Sequence, residues 1–246
     1  MTFRTGIGTS DADSITLMGR DLASELMGNV SLTELTFLMV QGRMPSPEET
    51  RLFDAVLVSL ADHGLTPTVL AARLTYTGAP ESIQGAVAAG LLGAGSVFLG
   101  VVEDTARFLD EIGDDVEGGV ERALAAGRRI PGLGHTVHKI QDPRTPRIYT
   151  IAEETGQLGP HLRRLRALAD AHAKQTGREL PINGAGVAGA ALADLGFPAA
   201  LLRGFALLAR TAGLLGHLAE EMEHPLGMPL YREVDERAKY DPPTGE

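Results

Sequence analysis

Apolar residues recur along this chain with the spacing of one face of an α-helix. Ser31 and Glu34 form a capping-box pattern, in which serine and an acid three residues later mark the start of a helix. Leu32, Leu35 and Leu38 follow at helical intervals. We therefore predict that a helix begins at this point of the chain.

Further helical signals follow at short intervals. A second capping box, Ser46-Pro47-Glu48-Glu49, places proline at the first helical position, and Pro67 and Pro80 are placed to open two more helices. Few segments alternate apolar and polar residues between turn residues, so we predict an all-α fold without a substantial sheet. The remaining predicted helices are 84–98, 100–112, 115–126, 160–176, 186–195 and 198–222.

Two of these segments, 84–98 and 184–193, are rich in glycine and alanine, which permits close approach of helices. Packing within the chain and a helix-on-helix dimer interface account for this equally well. The stretch 83–102 is apolar enough to raise the question of a membrane span. Gln84 and the five glycines in that stretch favour a helix buried among other helices instead.

The composition narrows the classes of function. Hydrophobic residues make up 43% of the 246 residues and charged residues 22%, which is ordinary for a soluble globular protein. A formal net charge of −10 argues against general binding of nucleic acid or of an anionic membrane. The absence of cysteine excludes disulfides and a cysteine nucleophile, and it fits a reducing compartment, so we expect a cytoplasmic protein.

The segment 128–144 holds the most promising chemistry. Two glycines immediately before His135 allow the backbone to come close to a ligand, and the histidine can hydrogen-bond or protonate a carbonyl oxygen. Arg144, fixed by the Asp142-Pro143 turn, can grip a carboxylate with two hydrogen bonds. A purely structural loop accounts for the same pattern, so the residues alone leave this assignment open.

Each of three other polar residues has a structural and a functional interpretation. His138 lies three residues after His135, but no third ligand is placed to join them, so we expect no metal site. His63 lies at a helix end, where it can cap backbone carbonyls or contact a ligand. Arg210 falls in an apolar helical run and needs an anionic partner, either a carboxylate of the protein or a ligand.

The segment Gly184–Gly189 formally matches the dinucleotide-binding pattern G-x-G-x-x-G. That site needs a strand before the glycines and an acid about 20 positions later. Pro181 stands in the preceding segment, and no acid lies near Gly204. We therefore disfavour a nicotinamide-dependent oxidoreductase.

In their order along the chain, these segments resemble the citrate synthase family, including its short citryl-CoA lyase-like members. The resemblance begins at Gly19-Arg20-Asp21-Leu22 and ends at His217, and its most specific part is Pro131–Lys139 with Asp142-Pro143-Arg144. It implies a citrate synthase-like, two-domain helical fold, a homodimer, and a cleft between the domains that holds the substrates. The implied large domain combines 1–98 with 195–246, and the implied small domain spans 99–194.

The resemblance also implies a role for each matching residue. His135 would be the catalytic residue, placed against the carbonyl oxygen of a 2-oxo acid, and His63, Arg144 and Arg210 would bind that acid. A coenzyme A thioester would be the co-substrate, with no metal taking part. Its binding residues would be Pro131, Gly132, Leu133, Gly134 and Lys139.

Three positions depart from the family's pattern. Phe98 stands where the family has the histidine that polarises the acetyl-CoA thioester, and Ala185 stands where it has the aspartate that removes the methyl proton. Met228 or a neighbour replaces an arginine that the family supplies from the partner subunit. Because neither phenylalanine nor alanine transfers protons, the usual enolisation of acetyl-CoA is not expected.

We therefore expect a carbon–carbon lyase or acyltransferase that acts on an acyl-CoA and an oxaloacetate-like 2-oxo acid with an atypical catalytic site. The enolate would arise by cleavage of a citryl-CoA-like substrate or by decarboxylation of an activated acyl-CoA. Ser96, Asn183 and His138 are candidates to replace the missing groups. The alternative is a non-catalytic protein that binds a CoA ester or a 2-oxo acid.

Overall fold

The computed structural model describes residues 1–242, and helices dominate this part of the chain, which confirms the predicted all-α class. The predicted large domain includes residues 243–246, which lie outside the described residues. The helices are α1 Leu32–Gln41, α2 Pro47–Leu60, α3 Pro67–Gly78, α4 Ile83–Leu92, α5 Val101–Ile112, α6 Val116–Ala125, α7 Arg144–Glu154, α8 Pro160–Thr176, α9 Gly184–Asp194, α10 Ala199–Glu223 and α11 Gly227–Arg237.

A small antiparallel sheet precedes the helices. Met18 and Gly19 form the two-residue loop between its second and third strands, with φ of 51° and 78°. Positive φ at both loop residues gives the turn whose twist matches a hairpin. The strands are β1 Gly8–Ser10, β2 Ile15–Leu17 and β3 Arg20–Asp21, and a π-helical turn at Leu22–Leu26 follows.

Both predicted capping boxes are present. The Ser31 hydroxyl accepts from the Glu34 backbone N–H at 3.2 Å, and the Glu34 carboxylate accepts from the Ser31 N–H at 2.8 Å. Ser46 and Glu49 make the same reciprocal pair at 3.2 and 2.8 Å. Each box satisfies two backbone donors that the helix start would otherwise leave without a partner.

Other predicted boundaries were wrong. The helix predicted at 84–98 ends at Leu92, and residues 93–100 form turns in which Phe98 and Gly100 donate to the Gly95 carbonyl. Glycine costs conformational entropy in a helix, so the glycines of this stretch favour turns over a continued helix. Helices α7 and α11 were not predicted, because neither begins with a capping box and both have few apolar residues at helical spacing.

Packing divides the chain into two compact units. Unit 1 contains Met1–Ser59 and Val101–Leu202, and unit 2 contains Leu60–Gly100 and the chain from Arg203 onward. The boundaries near residues 100 and 200 lie close to those expected from the family resemblance. Residues 1–59, however, group with the middle of the chain and not with the C-terminal helices. The division into a large and a small domain stays a prediction.

The core of unit 1 combines aromatic rings with close helix packing. Phe197 lies 5.1 Å from Phe37 and 4.9 Å from Phe53, measured between ring centroids. Helix α9 is buried along most of its length, and a Cβ at Gly189 would overlap the Val102 carbonyl oxygen of α5. The small residues of α9 therefore serve packing within the unit. The sequence had left open whether they pack within the chain or form a dimer interface.

Unit 2 has its own core, built by α3, α4 and α10. Gly90 allows α4 to approach Leu214, since a Cβ there would lie 2.8 Å from the leucine Cδ1. Among the described helices, α10 has the length and apolar composition that a membrane span also requires, a property shared by core helices of soluble proteins. The core residues are Val69, Ala72, Ala86, Leu214 and Leu218.

His161 joins three helices of unit 1. Its Nδ1 lies 2.9 Å from Asp194 at the end of α9, and its Nε2 lies 2.8 Å from Asp110 on α5. Asp194 also accepts from the backbone N–H groups of His161 and Leu162 at the start of α8. The hydrogen bond to Asp194 raises the pKa of His161, which outweighs the lowering effect of burial, and Asp110 adds to the increase.

We expect His161→Gln to destabilise the protein in a pH-dependent way. A raised folded-state pKa contributes stability that is fully present below the unfolded value of about 6.5 and is lost as pH rises through the folded value. The variant should therefore lose about 1 kcal/mol of unfolding free energy near pH 6, with a smaller deficit at higher pH. Urea denaturation from pH 5.5 to about 8.5 measures this. A deficit that is constant with pH, or equal to that of the exposed control His224→Gln, would contradict the assignment.

Candidate active site

The glycine loop before His135 is tied to the residues that precede α9. The Gly134 N–H donates to the Pro181 carbonyl at 2.7 Å, and the Asn183 N–H donates to the Gly132 carbonyl at 2.9 Å. Gly132 and Gly134 have φ of 84° and 79°, a region that favours glycine. A Cβ at Gly132 would also lie 3.0 Å from the Thr105 hydroxyl. The glycines are thus required by the shape of the loop and its packing on α5.

This loop fixes the orientation of the His135 ring. The Nδ1 atom accepts from the backbone N–H groups of Val137 and His138, both at 3.0 Å. The two histidine rings stack with centroids 4.6 Å apart and planes 29° apart. Because Nδ1 is an acceptor, the hydrogen of the neutral imidazole lies on Nε2. His135 can therefore donate through Nε2 to an oxygen of a ligand.

Lys139, predicted to bind coenzyme A, folds back on the same loop. Its ammonium group donates to the His135 carbonyl at 3.1 Å. Leu133 forms an isolated β-bridge with Ile182, and Pro131 is only partly buried at the start of the loop. The role of these residues in binding coenzyme A stays a prediction.

Arg144 opens α7 and forms a two-point pair with Asp142. Its Nε and Nη2 donate to the two carboxylate oxygens at 3.0 and 2.7 Å. The Gly184 N–H also donates to Asp142 at 2.7 Å, and Arg144 Nη1 donates to the Ser59 carbonyl at 3.3 Å. Asp142 is fully buried, which favours the neutral acid, but the Arg144 hydrogen bonds hold its pKa far below the usual range.

Sequence reasoning treated Asp142 only as a turn residue and missed this pairing. The available signal was the Asp-Pro-Arg spacing, which puts a carboxylate two residues before the arginine. The guanidinium of Arg144 is 21% exposed, whereas its partner carboxylate is not exposed at all. Asp142 therefore acts as the fixed counter-charge that holds Arg144 against the start of α9.

The glycines of the G-x-G-x-x-G pattern are explained by this packing. A Cβ at Gly184 would overlap the Arg144 guanidinium, and a Cβ at Gly186 would overlap the backbone of Gly132. Within the described residues, the segment before α9 forms an isolated bridge and no strand. The structure therefore gives the dinucleotide interpretation no support.

The second group of predicted residues lies in unit 2. Asp62, His63 and Gly64 form a turn after α2, closed by the Gly64 N–H donating to the Asp62 carboxylate at 2.8 Å. The same carboxylate lies 2.8 Å from His217 Nε2 and 3.8 Å from Nη1 of the buried Arg210. Burial acts to raise the pKa of Asp62, but the hydrogen bonds from Gly64 and His217 lower it below the ordinary value.

None of the three residues that depart from the family pattern has a side chain that transfers protons. Phe98 lies in the turns before α5 and is 42% exposed, and Ala185 lies in the first turn of α9. Met228, 40% exposed, lies in the first turn of α11. Asn183, considered as a replacement, is engaged by backbone groups on both sides, since its Oδ1 accepts from the Gly186 N–H at 2.8 Å and its Nδ2 donates to the glycine loop.

Three arginines of unit 1 are paired with carboxylates of the protein. Arg164 and Arg166 belong to the basic run His161–Arg166 at the start of α8, and their pairs favour a solvated helix face for that run over a site for the phosphates of coenzyme A. The pairs are Arg128 with Glu111 at 3.1 Å, Arg164 with Asp114 at 2.8 Å and Arg166 with Glu153 at 3.3 Å.

Comparison with known proteins identifies the family. The family model described as citrate synthase, C-terminal domain, matches residues 16–233. The structure of citryl-CoA lyase from Hydrogenobacter thermophilus is 31% identical and superposes with a TM-score of 0.91, covering 100% of this chain and 97% of that one. ATP citrate lyase from Methanothrix soehngenii shares the fold at 23% identity, with a TM-score of 0.83 over 99% of this chain and 42% of that one.

Sequence relatives agree with this result. Citrate synthase from Synechocystis sp. is 29% identical over 194 residues, which is 75% of this chain and 48% of that protein. Citrate synthase from Deinococcus radiodurans is 36% identical over 119 residues, which is 47% of this chain and 31% of that protein. The chain thus spans about half the length or less of these two relatives. On the family match over most of its length, the chain belongs to the citrate synthase family.

Proposed function

We propose that this protein is an enzyme that cleaves or forms a carbon–carbon bond between an acyl-CoA and an oxaloacetate-like 2-oxo acid. The observation that carries this proposal is the match to citryl-CoA lyase from Hydrogenobacter thermophilus, which extends over 97% of that chain at a TM-score of 0.91. The orientation of the His135 ring and the partly exposed guanidinium of Arg144 support it. Cleavage of a citryl-CoA-like substrate is the reaction that we favour.

In this proposal, the Nε2–H of His135 donates a hydrogen bond to the oxygen that changes between carbonyl and hydroxyl, and it stabilises the negative charge that develops on that oxygen in either direction. In cleavage, the hydroxyl proton passes to water as the ketone forms. Arg144 and Arg210 bind carboxylates of the acid, and His63 hydrogen-bonds to it. Coenzyme A is bound by the segment Pro131–Gly134 with Lys139.

Phe98 and Ala185 are the reason that we favour cleavage over the usual synthesis. Synthesis from acetyl-CoA needs a base that removes a methyl proton, and neither side chain supplies one. In cleavage, the enolate forms as the carbon–carbon bond breaks, with the electron pair moving to the thioester and the hydroxyl becoming the ketone. No methyl proton is removed in that step, and the enolate then takes a proton from water at its CH₂ carbon, which gives acetyl-CoA.

The test follows the products of citryl-CoA directly. Incubation with the purified protein should yield oxaloacetate and an acetyl-CoA in equal amounts, detected by mass spectrometry. In parallel, acyl-CoA thioesters are mixed with 2-oxo acids and thiol release is measured with a thiol reagent, to which a chain without cysteine contributes no background. Product at several turnovers per subunit supports the enzyme, whereas a folded protein that is silent across the panel contradicts it.

A second candidate function is a non-catalytic binding protein for a CoA ester or a 2-oxo acid. The replacement of two family proton-transfer residues by Phe98 and Ala185 favours it. Calorimetry separates the two candidates, because a binding protein would give saturable heat with citryl-CoA or oxaloacetate and no product after long incubation. Multiple turnover would exclude it.

We also propose that the protein is a cytoplasmic homodimer. Leu208, Leu215 and Met222 lie at seven-residue intervals along α10 and are 36%, 51% and 55% exposed. A regular apolar stripe on a helix is typical of a surface that another helix covers. The absence of cysteine supports a reducing compartment.

We expect Leu215→Glu to weaken this dimer. A buried charge at the centre of an apolar interface typically costs 2 kcal/mol or more, so the dimer dissociation constant should rise by about 30-fold or more. Light scattering over a concentration series measures the constant. The matched control is Val58→Glu, which places the same charge at a residue of α2 that is 69% exposed. Equal dimerisation of both variants would exclude the α10 stripe as the interface.

A further inference from the structure

The carboxylate of Asp62 lies between the side chains of His217 and Arg210 in unit 2, at unequal distances. Its Oδ1 is 2.8 Å from His217 Nε2, which is hydrogen-bond distance, and 3.8 Å from Arg210 Nη1, which is too long for a hydrogen bond. The Asp62 carboxylate is therefore bonded to His217 and only electrostatically paired with Arg210.

His217 is itself fixed by a buried arginine. The Nε atom of Arg73 donates to the His217 backbone carbonyl at 3.1 Å, and Arg73 Nη2 donates to Glu220 at 2.5 Å. Glu220 in turn lies 3.7 Å from His217 Nδ1. The side chain of Arg73 is 4% exposed. Nε2 of the His217 ring thus faces Asp62, while Nδ1 faces Glu220.

We propose that His217 restrains Asp62 so that Arg210 can exchange this internal carboxylate for the carboxylate of a bound 2-oxo acid. Two carboxylates compete for one guanidinium, and the one held by His217 competes less. Asp62 and His217 are then positioning residues that set the affinity for the acid by acting on Arg210. The inference rests on the proposed function, since it takes the ligand of Arg210 to be a carboxylate of the acid.

Opposite effects of two substitutions test this inference. Asp62→Asn removes the competing charge, while the amide oxygen still accepts from the Gly64 N–H, so the dissociation constant for oxaloacetate should fall about fivefold. His217→Leu removes the donor and lets Asp62 close on Arg210, so the constant should rise about fivefold. His217→Gln, whose amide can donate to Asp62, should restore affinity to near that of the unmodified protein.

The measurement is calorimetric titration of the full chain with oxaloacetate, with thermal unfolding followed by circular dichroism to establish that each variant is folded. For turnover, the changes should appear in KM for the acid and leave kcat within about twofold, because neither residue touches the reacting atoms. A merely structural role would weaken binding in both Asp62→Asn and His217→Leu. If His217→Leu does not fold, the dissociation constants of Asp62→Asn and His217→Gln for oxaloacetate still test the inference.

The outcomes separate this inference from the proposed function. Weaker or unchanged binding in folded Asp62→Asn overturns the inference alone, provided that Arg210→Gln abolishes binding of the acid. If the unmodified protein binds no 2-oxo acid from the panel, both the inference and the proposed function fail. Tighter binding in Asp62→Asn with weaker binding in His217→Leu supports both.

Discussion

Replacing His135 by alanine is expected to lower kcat for cleavage of citryl-CoA by about 10²–10³-fold. Two backbone N–H groups donate to Nδ1 of the His135 ring, so in the proposed function Nε2–H is the group that donates to the substrate oxygen. Alanine removes that atom without introducing a larger group. Steady-state rates of oxaloacetate formation measure the loss, and KM should change far less than kcat.

The control for this prediction is His224→Ala, which removes an exposed histidine and should leave the rate unchanged. His138→Ala is a useful second comparison, since it removes the ring that stacks on His135 but not the backbone N–H groups that orient it. Its rate should lie between those of His135→Ala and the unmodified protein. Turnover of His135→Ala within about threefold of the unmodified rate would show that His135 does not stabilise the substrate oxygen.

Local sequence signals predicted the helices whose ends are held by neighbouring residues. The Ser31 box and the Ser46 box each join residues three apart, so the pattern alone contains the whole interaction. Helices α7 and α11 carry no such box and have few apolar residues at helical spacing, and both were missed. Residues 93–98 were predicted to be helical because the prediction weighed their apolar character but not the destabilising effect of Gly93 and Gly95 in a helix.

The candidate site was less predictable, because its contacts join distant parts of the chain. The sequence and the family resemblance singled out His135 and Arg144, but not how each is held. Asp142 meets the Gly184 N–H, 42 residues later, and Arg144 meets the Ser59 carbonyl, 85 residues earlier. Such partners depend on the tertiary fold. Periodicity and motif spacing contain no information about them.

Replacing Asp142 by asparagine is expected to lower the free energy of unfolding at pH 7 by about 3 kcal/mol, because the change removes one charge of a largely buried pair. Asparagine keeps one acceptor but cannot serve both Arg144 donors and the Gly184 N–H as the carboxylate does. Urea denaturation of both proteins from pH 3 to about 7 measures the difference.

The sign of the pH dependence distinguishes this pair from a neutral packing effect. The folded-state pKa of Asp142 is depressed, so its contribution is fully present above the unfolded value of about 3.8 and is lost as pH falls toward the folded value. The difference between the two proteins should therefore be constant from pH 5 to about 7 and shrink below about pH 4. Asp114→Asn, which removes a carboxylate that is 96% exposed in its pair with Arg164, should change stability by less than about 0.5 kcal/mol. A loss of unfolding free energy in Asp142→Asn as small as that in Asp114→Asn would mean that other contacts hold Arg144. The buried carboxylate would then not fix Arg144 at the start of α9.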